Sequence, residues 1–217
     1  MPKQAELEGR TPRGRFLAFE GGEGRGKSTQ AARLADTLGA LLTREPGGTL
    51  VGERIRELVL DPPGNHLSVR AEALLMAAAR AQHVARVIEP ALARGRDVVT
   101  DRFLASSVAY QGHGRGLDPD EVMRLSLWAT EGLQPDLVVL LDLPERIASE
   151  RSGAAGDRLE AAGPDFHGAV ADGFRALAAA DPTRWIVVDG TAAIDAVAER
   201  VMAEIRNHPL FRGSLVR

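Results

Sequence analysis

The run Gly21-Gly22-Glu23-Gly24-Arg25-Gly26-Lys27-Ser28 constrains this chain more than any other feature. It fits Gly-x-x-x-x-Gly-Lys-Ser, follows the apolar segment 15–20 and precedes a segment with apolar residues three and four apart. Backbone N–H groups in such a loop turn inward around a phosphate chain, and the helix that follows adds the positive end of its dipole. Lys27 then reaches the β- and γ-phosphates, and the Ser28 hydroxyl is placed to ligate Mg2+. The candidate nucleotide-binding residues are therefore Gly21, Gly22, Glu23, Gly24, Arg25, Gly26, Lys27, Ser28 and Thr29, with ATP and Mg2+ as the implied cofactors.

Short apolar runs at 15–20, 40–44, 97–101, 137–142 and 185–189 read as five strands. Helical spacing runs through 27–38, 50–60, 68–94, 118–131, 164–180 and 191–206. This alternation predicts an α/β fold of the P-loop NTPase kind, a five-stranded parallel sheet with helices on both faces. Ligands then bind beyond the carboxyl ends of the strands. Residues 1–14 are polar and read as a disordered extension, and 15–217 as a single domain with no linker or internal repeat.

Charge and cysteine content narrow the function classes. With 27 Lys+Arg against 30 Asp+Glu the net charge is −3, which offers no field for nucleic acid or an anionic membrane. There is no cysteine, no secretory leader and no apolar stretch near the ~20 residues of a membrane span, so the expectation is a cytoplasmic protein with small-molecule partners. The five histidines are scattered without an i,i+4 pair, which argues against zinc.

A P-loop names a ligand and not a reaction, and the guanine-reading Asn-Lys-x-Asp is absent. Two further clusters fall at strand ends on the P-loop side. Thr43-Arg44-Glu45-Pro46-Gly47-Gly48-Thr49 places Arg44 where it can face a second phosphate. Thr100-Asp101-Arg102-Phe103 offers an acid for the metal's water shell or the acceptor, and a guanidinium fork able to bridge two phosphates. The plainer readings are a Pro-Gly-Gly turn and a salt-bridged pair.

These clusters, with Ala109-Tyr110-Gln111-Gly112, Gly114-Arg115-Gly116, Gln134-Pro135-Asp136-Leu137 and Asp157-Arg158-Leu159-Glu160, resemble the thymidylate kinase family in order and interval over about 16–206. The resemblance implies a P-loop kinase that transfers the γ-phosphoryl group of ATP to dTMP, giving dTDP and ADP. It implies that Arg44 and Arg102 grip the acceptor phosphate, that Glu23 lies near the acceptor sugar, and that Arg80 reads the base edge. Ser106, Tyr110 and Gln111 line base and sugar, with the tyrosine ring where a 2′-hydroxyl would project. Lys27, Asp101 and Arg102 are the implied catalytic residues, and Ser28 with Asp101 the metal site.

The chain departs from the family at Met76, usually a stacking phenylalanine; it shares a helix face with Arg80, and a thioether against a ring contributes roughly 0.3–1.5 kcal/mol. Residues 146–160 look like the family's lid, where Arg151 and Arg158 are the candidate catalytic arginines and Arg146 flanks them, because Gly24 stands where other members carry a P-loop arginine. The family commonly forms homodimers, here through 68–94 and 118–131. Two other readings stand beside this one: a kinase for another nucleotide acceptor, and a regulatory P-loop NTPase.

Overall fold

The computed structural model of the protein describes residues 12–60, 67–152 and 158–211. Most of the expected N-terminal extension, residues 1–11, lies outside them. Arg13 and Gly14 are already tied down: Arg13 pairs with Asp136 at 2.9 Å, and the Gly14 N–H donates to the Leu92 carbonyl at 2.9 Å.

Five strands, β1 (Phe16–Glu20), β2 (Leu41–Arg44), β3 (Val98–Asp101), β4 (Leu137–Asp142) and β5 (Trp185–Asp189), form one sheet in the order β2-β3-β1-β4-β5. Every pairing is parallel. The near-continuous apolar runs of β1, β3 and β4 fill the buried centre, while β2 and β5 are half-exposed edges. Because β1 lies between β3 and β4, the chain reverses its winding direction there, and the crevice at that switch point opens at the end of β1.

The helices are α1 (Lys27–Leu38), α2 (Leu50–Leu60), α3 (Val69–His83), α4 (Glu89–Ala93), α5 (Leu104–Ser107), α6 (Pro119–Ala129), α7 (Glu145–Ser152), α8 (Pro164–Ala180) and α9 (Ile194–Asn207). Alternation along β1 sends Phe16 and Ala18 into one core, with Met76, Tyr110 and Phe174, and Leu17 and Phe19 into the other, with Leu34, Val201 and Ile205. The sheet is therefore covered on both faces, α3, α5 and α8 on one and α1 and α9 on the other.

The segment expected as one helix over 68–94 is α3, a π-helical stretch Val84–Ile88, and α4. Pro90 has no N–H for the carbonyl four residues back, and its ring presses on that carbonyl; widening the turn before it relieves both. Two helical segments carried no usable period. Leu104–Gly114, α5 followed by a π-helical stretch Val108–Gly114, is buried on nearly all sides and so lacks a polar face. The short, polar α7 occupies the start of the expected lid. No helix among the described residues is long and apolar enough to cross a membrane.

Candidate active site

The phosphate loop leaves β1 through Gly21, whose φ of 134° and approach to β4 exclude a side chain: a Cβ there would lie 2.7 Å from the Leu141 carbonyl oxygen. Gly26, in the left-handed region at φ 80°, caps α1 without any side-chain acceptor, so the first N–H groups of α1 face the loop. Lys27 Nζ donates to the Gly22 carbonyl at 2.6 Å. Burial, then the charge of Arg102, pushes Lys27 down to about 8, against the pull of Glu23, Asp101 and Glu20.

Ser28 Oγ donates to Asp101 Oδ2 at 2.5 Å, and the other carboxylate oxygen, Oδ1, is buried with no hydrogen-bond partner. An unpaired buried carboxylate oxygen beside a P-loop hydroxyl fits Mg2+, which takes one or two protein oxygens and completes its shell from substrate phosphates and water. No group of three or more His, Asp or Glu side chains suited to a metal occurs among the described residues.

Arg25 turns away from the loop's interior. Its side chain is 2% exposed, its guanidinium passes beneath Gly22, and it donates to Asp142 Oδ1 at 3.1 Å, the Leu143 carbonyl at 2.5 Å and Glu145 Oε2 at 2.8 Å. It braces the P-loop against the end of β4 and the start of α7, and Arg175 of α8 grips the same Asp142 at 3.0 Å. Arg25→Ala is expected to lower stability by about 1–3 kcal/mol, through lost buried hydrogen bonds, and kcat by less than about tenfold. Denaturant melts and steady-state turnover measure the two effects; a kcat loss of about 10³ would instead place Arg25 on the transferring group.

Beside the loop lies a cleft enclosing about 640 Å³, open solvent at its mouth included. Met76 and Arg80 of α3 form one wall, Ser106, Tyr110 and Gln111 another, and Glu23 and Arg102 the end nearest the P-loop. Arg102 has a left-handed backbone, φ 71°, a strain of about 1–3 kcal/mol for a non-glycine residue. Its guanidinium over-determines that conformation. Nη1 donates to the Gly21 carbonyl at 2.9 Å and Ser106 Oγ at 3.2 Å, and Nη2 to Glu23 Oε1 at 2.5 Å and Tyr110 Oη at 3.0 Å. It also lies 5.0 Å from the Tyr110 ring centroid.

The charges interlock. Burial opposes the Arg102 charge, but Glu23 and the neighbouring groups more than offset this and raise its pKa. Burial likewise opposes Glu23, yet Arg102 and Lys27 hold it down at about 2. Burial raises Tyr110, which donates its hydroxyl to Glu23 at 2.9 Å. Arg80 is held by Glu45 at 2.7 Å, Ser107 at 2.9 Å, Ser126 at 3.1 Å and the Phe103 carbonyl at 3.2 Å, so its guanidinium plane is fixed.

Other candidates lie elsewhere. Arg44 is half-exposed, pairs with Glu53 at 2.9 Å and does not line the cleft. Arg56 does line it, with Nη1 donating to the Pro46 carbonyl at 3.0 Å. The available signal was spacing: Arg56 and Leu60 stand four apart on α2, as Met76 and Arg80 do on α3. Arg146 pairs with Glu150 on the exposed face of α7. Arg151 donates to the Gly190 and Thr191 carbonyls at 2.7 and 2.9 Å, beside the end of β5, and Arg158 is bound to Glu72 and the Val59 carbonyl. The small-residue centre of the expected lid, 153–157, lies outside the described residues.

Glu20 was also missed. Fully buried and pushed up to about 7 by that burial, it accepts from Ser106 Oγ at 2.6 Å and from the Phe103 and Ser106 N–H groups at 2.9 and 3.2 Å. It thereby fixes the chain just after Arg102. A glutamate closing an otherwise apolar strand was the sequence signal.

A family model described as thymidylate kinase matches residues 19–201. A thymidylate kinase of Leifsonia xyli is 53% identical over 89% of the chain and 93% of its own length. One from Bifidobacterium longum is 47% identical over 89% and 98%. The crystal structure of thymidylate kinase from Ehrlichia chaffeensis superposes with a TM-score of 0.75 at 30% identity, covering 89% of this chain and 99% of that one.

Proposed function

Because the chain belongs to the thymidylate kinase family, we propose that it transfers the γ-phosphoryl group of ATP to dTMP, giving ADP and dTDP, with the acceptor in the Met76–Tyr110 cleft and the donor on the P-loop. It is a nucleoside-monophosphate kinase, acting on small nucleotides. The observation that carries the residue assignment is the position of Arg102, whose guanidinium touches both the Gly21 carbonyl of the P-loop and the cleft-lining Tyr110.

In this reading an acceptor phosphate oxygen attacks the γ-phosphorus in line as the bond to the β,γ-bridging oxygen breaks. The transition state is loose, so positioning and charge neutralisation supply the catalysis and no strong base is required. The P-loop N–H groups and Lys27 bind the donor phosphates, and Arg102 and Arg56 meet the acceptor phosphate. Arg44 keeps a role through longer-range charge only. Ser28 and Asp101 would hold Mg2+, which when bound neutralises charge on the β- and γ-oxygens.

Arg80, fixed in plane with four of its five N–H groups committed, presents the remaining Nη1 N–H to a base edge while Met76 covers the ring, and Tyr110 crowds a 2′-hydroxyl. We further infer a single domain over 15–217, a cytoplasmic location, and a homodimer through α3 and α6, whose exposed Leu74 and Trp128 support that reading.

The test follows ADP release from MgATP with dTMP, dUMP, UMP, dCMP, AMP, GMP or thymidine supplied singly. Rapid turnover is expected with dTMP, weaker turnover with dUMP and negligible turnover with ribonucleotides. A best rate with another acceptor would overturn the dTMP assignment.

A further inference from the structure

Glu72 lies in the first turn of α3, four residues before Met76 and eight before Arg80, so the three form one stripe along the helix. Its side chain is 1% exposed. The two carboxylate oxygens serve different walls of the cleft. Oε1 accepts from Gln111 Nε2 at 2.8 Å, and Oε2 accepts from Arg158 Nη2 at 2.5 Å. Arg158 Nε in turn donates at 3.1 Å to the Val59 carbonyl, in the last turn of α2 where carbonyls lack helical partners. Leu159, next in the chain, is buried and lines the cleft. Arg115 stands 3.5 Å from Oε2, with its guanidinium 4.7 Å from the Phe166 ring centroid.

A carboxylate this far from water costs several kcal/mol before its partners offset it, and an apolar side chain would pack the same place on α3 without that cost. What the charge supplies is orientation. With one N–H held by Glu72, the Gln111 amide is fixed in plane at the cleft wall. With its guanidinium pinned between Glu72 and Val59, Arg158 sets where Leu159 meets the cleft.

We propose that Glu72 is a positioning residue for acceptor recognition, acting through Gln111 on one side and through Arg158 and Leu159 on the other, without touching the donor nucleotide. Arg158 then serves the acceptor cleft and not the transferring phosphoryl group. The proposal rests on the reading of this cleft as the dTMP site.

The experiment is calorimetric titration of the full-length protein with dTMP, and separately with MgATP, for wild type, Glu72→Gln, Arg158→Ala and Arg158→Lys, with kcat measured alongside. In Glu72→Gln one oxygen becomes an N–H donor facing either Gln111 or Arg158, so dTMP binding is expected to weaken about tenfold or more while MgATP binding stays within about twofold. Arg158→Ala should reproduce the dTMP loss, and Arg158→Lys should recover part of it. Combining Glu72→Gln with Arg158→Ala should cost less than the sum of the two, because both remove the shared Glu72–Arg158 contact.

Unchanged dTMP binding in Glu72→Gln would overturn the proposal, as would Arg158→Ala lowering kcat at saturation about a hundredfold with dTMP binding intact. If Glu72→Gln does not fold, the two Arg158 variants decide alone. A wild-type protein that binds MgATP but no dTMP would sink the dTMP reading itself, a result distinct from either failure above.

Discussion

Replacing Arg102 by alanine is expected to lower kcat by about 10³-fold or more while KM for ATP stays within about threefold. The Arg102 guanidinium touches the P-loop and the acceptor cleft at once, and charge accumulates between those two places as the phosphoryl group transfers. Its left-handed backbone is held by Phe19, which accepts the Arg102 N–H at 2.9 Å, and by Glu20 just after it, so the guanidinium arrives with little freedom left to lose. Removing it also takes from Glu23 its direct ion-pair partner and from the Tyr110 ring its cation.

Arg102→Lys separates charge from geometry. A lysine keeps the positive charge but cannot offer two directed N–H groups to Glu23 and Tyr110 and two more to Gly21 and Ser106, so an intermediate loss, nearer alanine than wild type, is expected. The measurement is steady-state ADP release with dTMP and ATP varied in turn. Turnover of the alanine variant within tenfold of wild type would remove Arg102 from the transition state.

How much of this was legible beforehand follows from what kind of signal each part carries. The five strands and the P-loop came through within a residue, because a parallel sheet buried on both faces writes continuous apolar runs and a phosphate cradle needs fixed glycines. Leu104–Gly114 did not, since a segment buried almost all round has no amphipathic period, although Tyr110 and Gln111 within it were recovered by resemblance. The arginines were the hardest to place. Sequence names a guanidinium but not its direction: Arg25 folds under its own loop, Arg44 points to Glu53, and Arg158 is drawn to Glu72, while Arg56, unremarked in the sequence, reaches the cleft. Each outcome depends on where a carboxylate or carbonyl beyond the local turn lies, from 9 residues away for Arg44 to 118 for Arg25.

The second large effect is expected at Lys27, where Lys27→Met should lower kcat/KM for ATP by about 10²–10³. The wild-type protein carries a pH signature of the same group. Burial and Arg102 hold Lys27 at about 8, so the free protein loses the ammonium as pH rises past that value. Since kcat/KM reports the free enzyme, its logarithm should fall with unit slope above pH 8. Bound triphosphate favours the ammonium and restores it, so kcat at saturating ATP should stay level to higher pH.

Unfolding would be an alternative cause of an alkaline decline, and the linkage sign separates the two. Between about 8 and the ordinary lysine value the unfolded chain binds a proton that the folded protein does not, so this group makes stability increase with pH over that window. Activity toward ATP should therefore fall while the contribution of Lys27 to the melting free energy rises, and Lys27→Met should abolish both slopes together. A methionine variant within tenfold of wild type would show that Lys27 does not carry the donor phosphates, and a kcat/KM profile flat from pH 7 to about 9.5 would place its titration above that range.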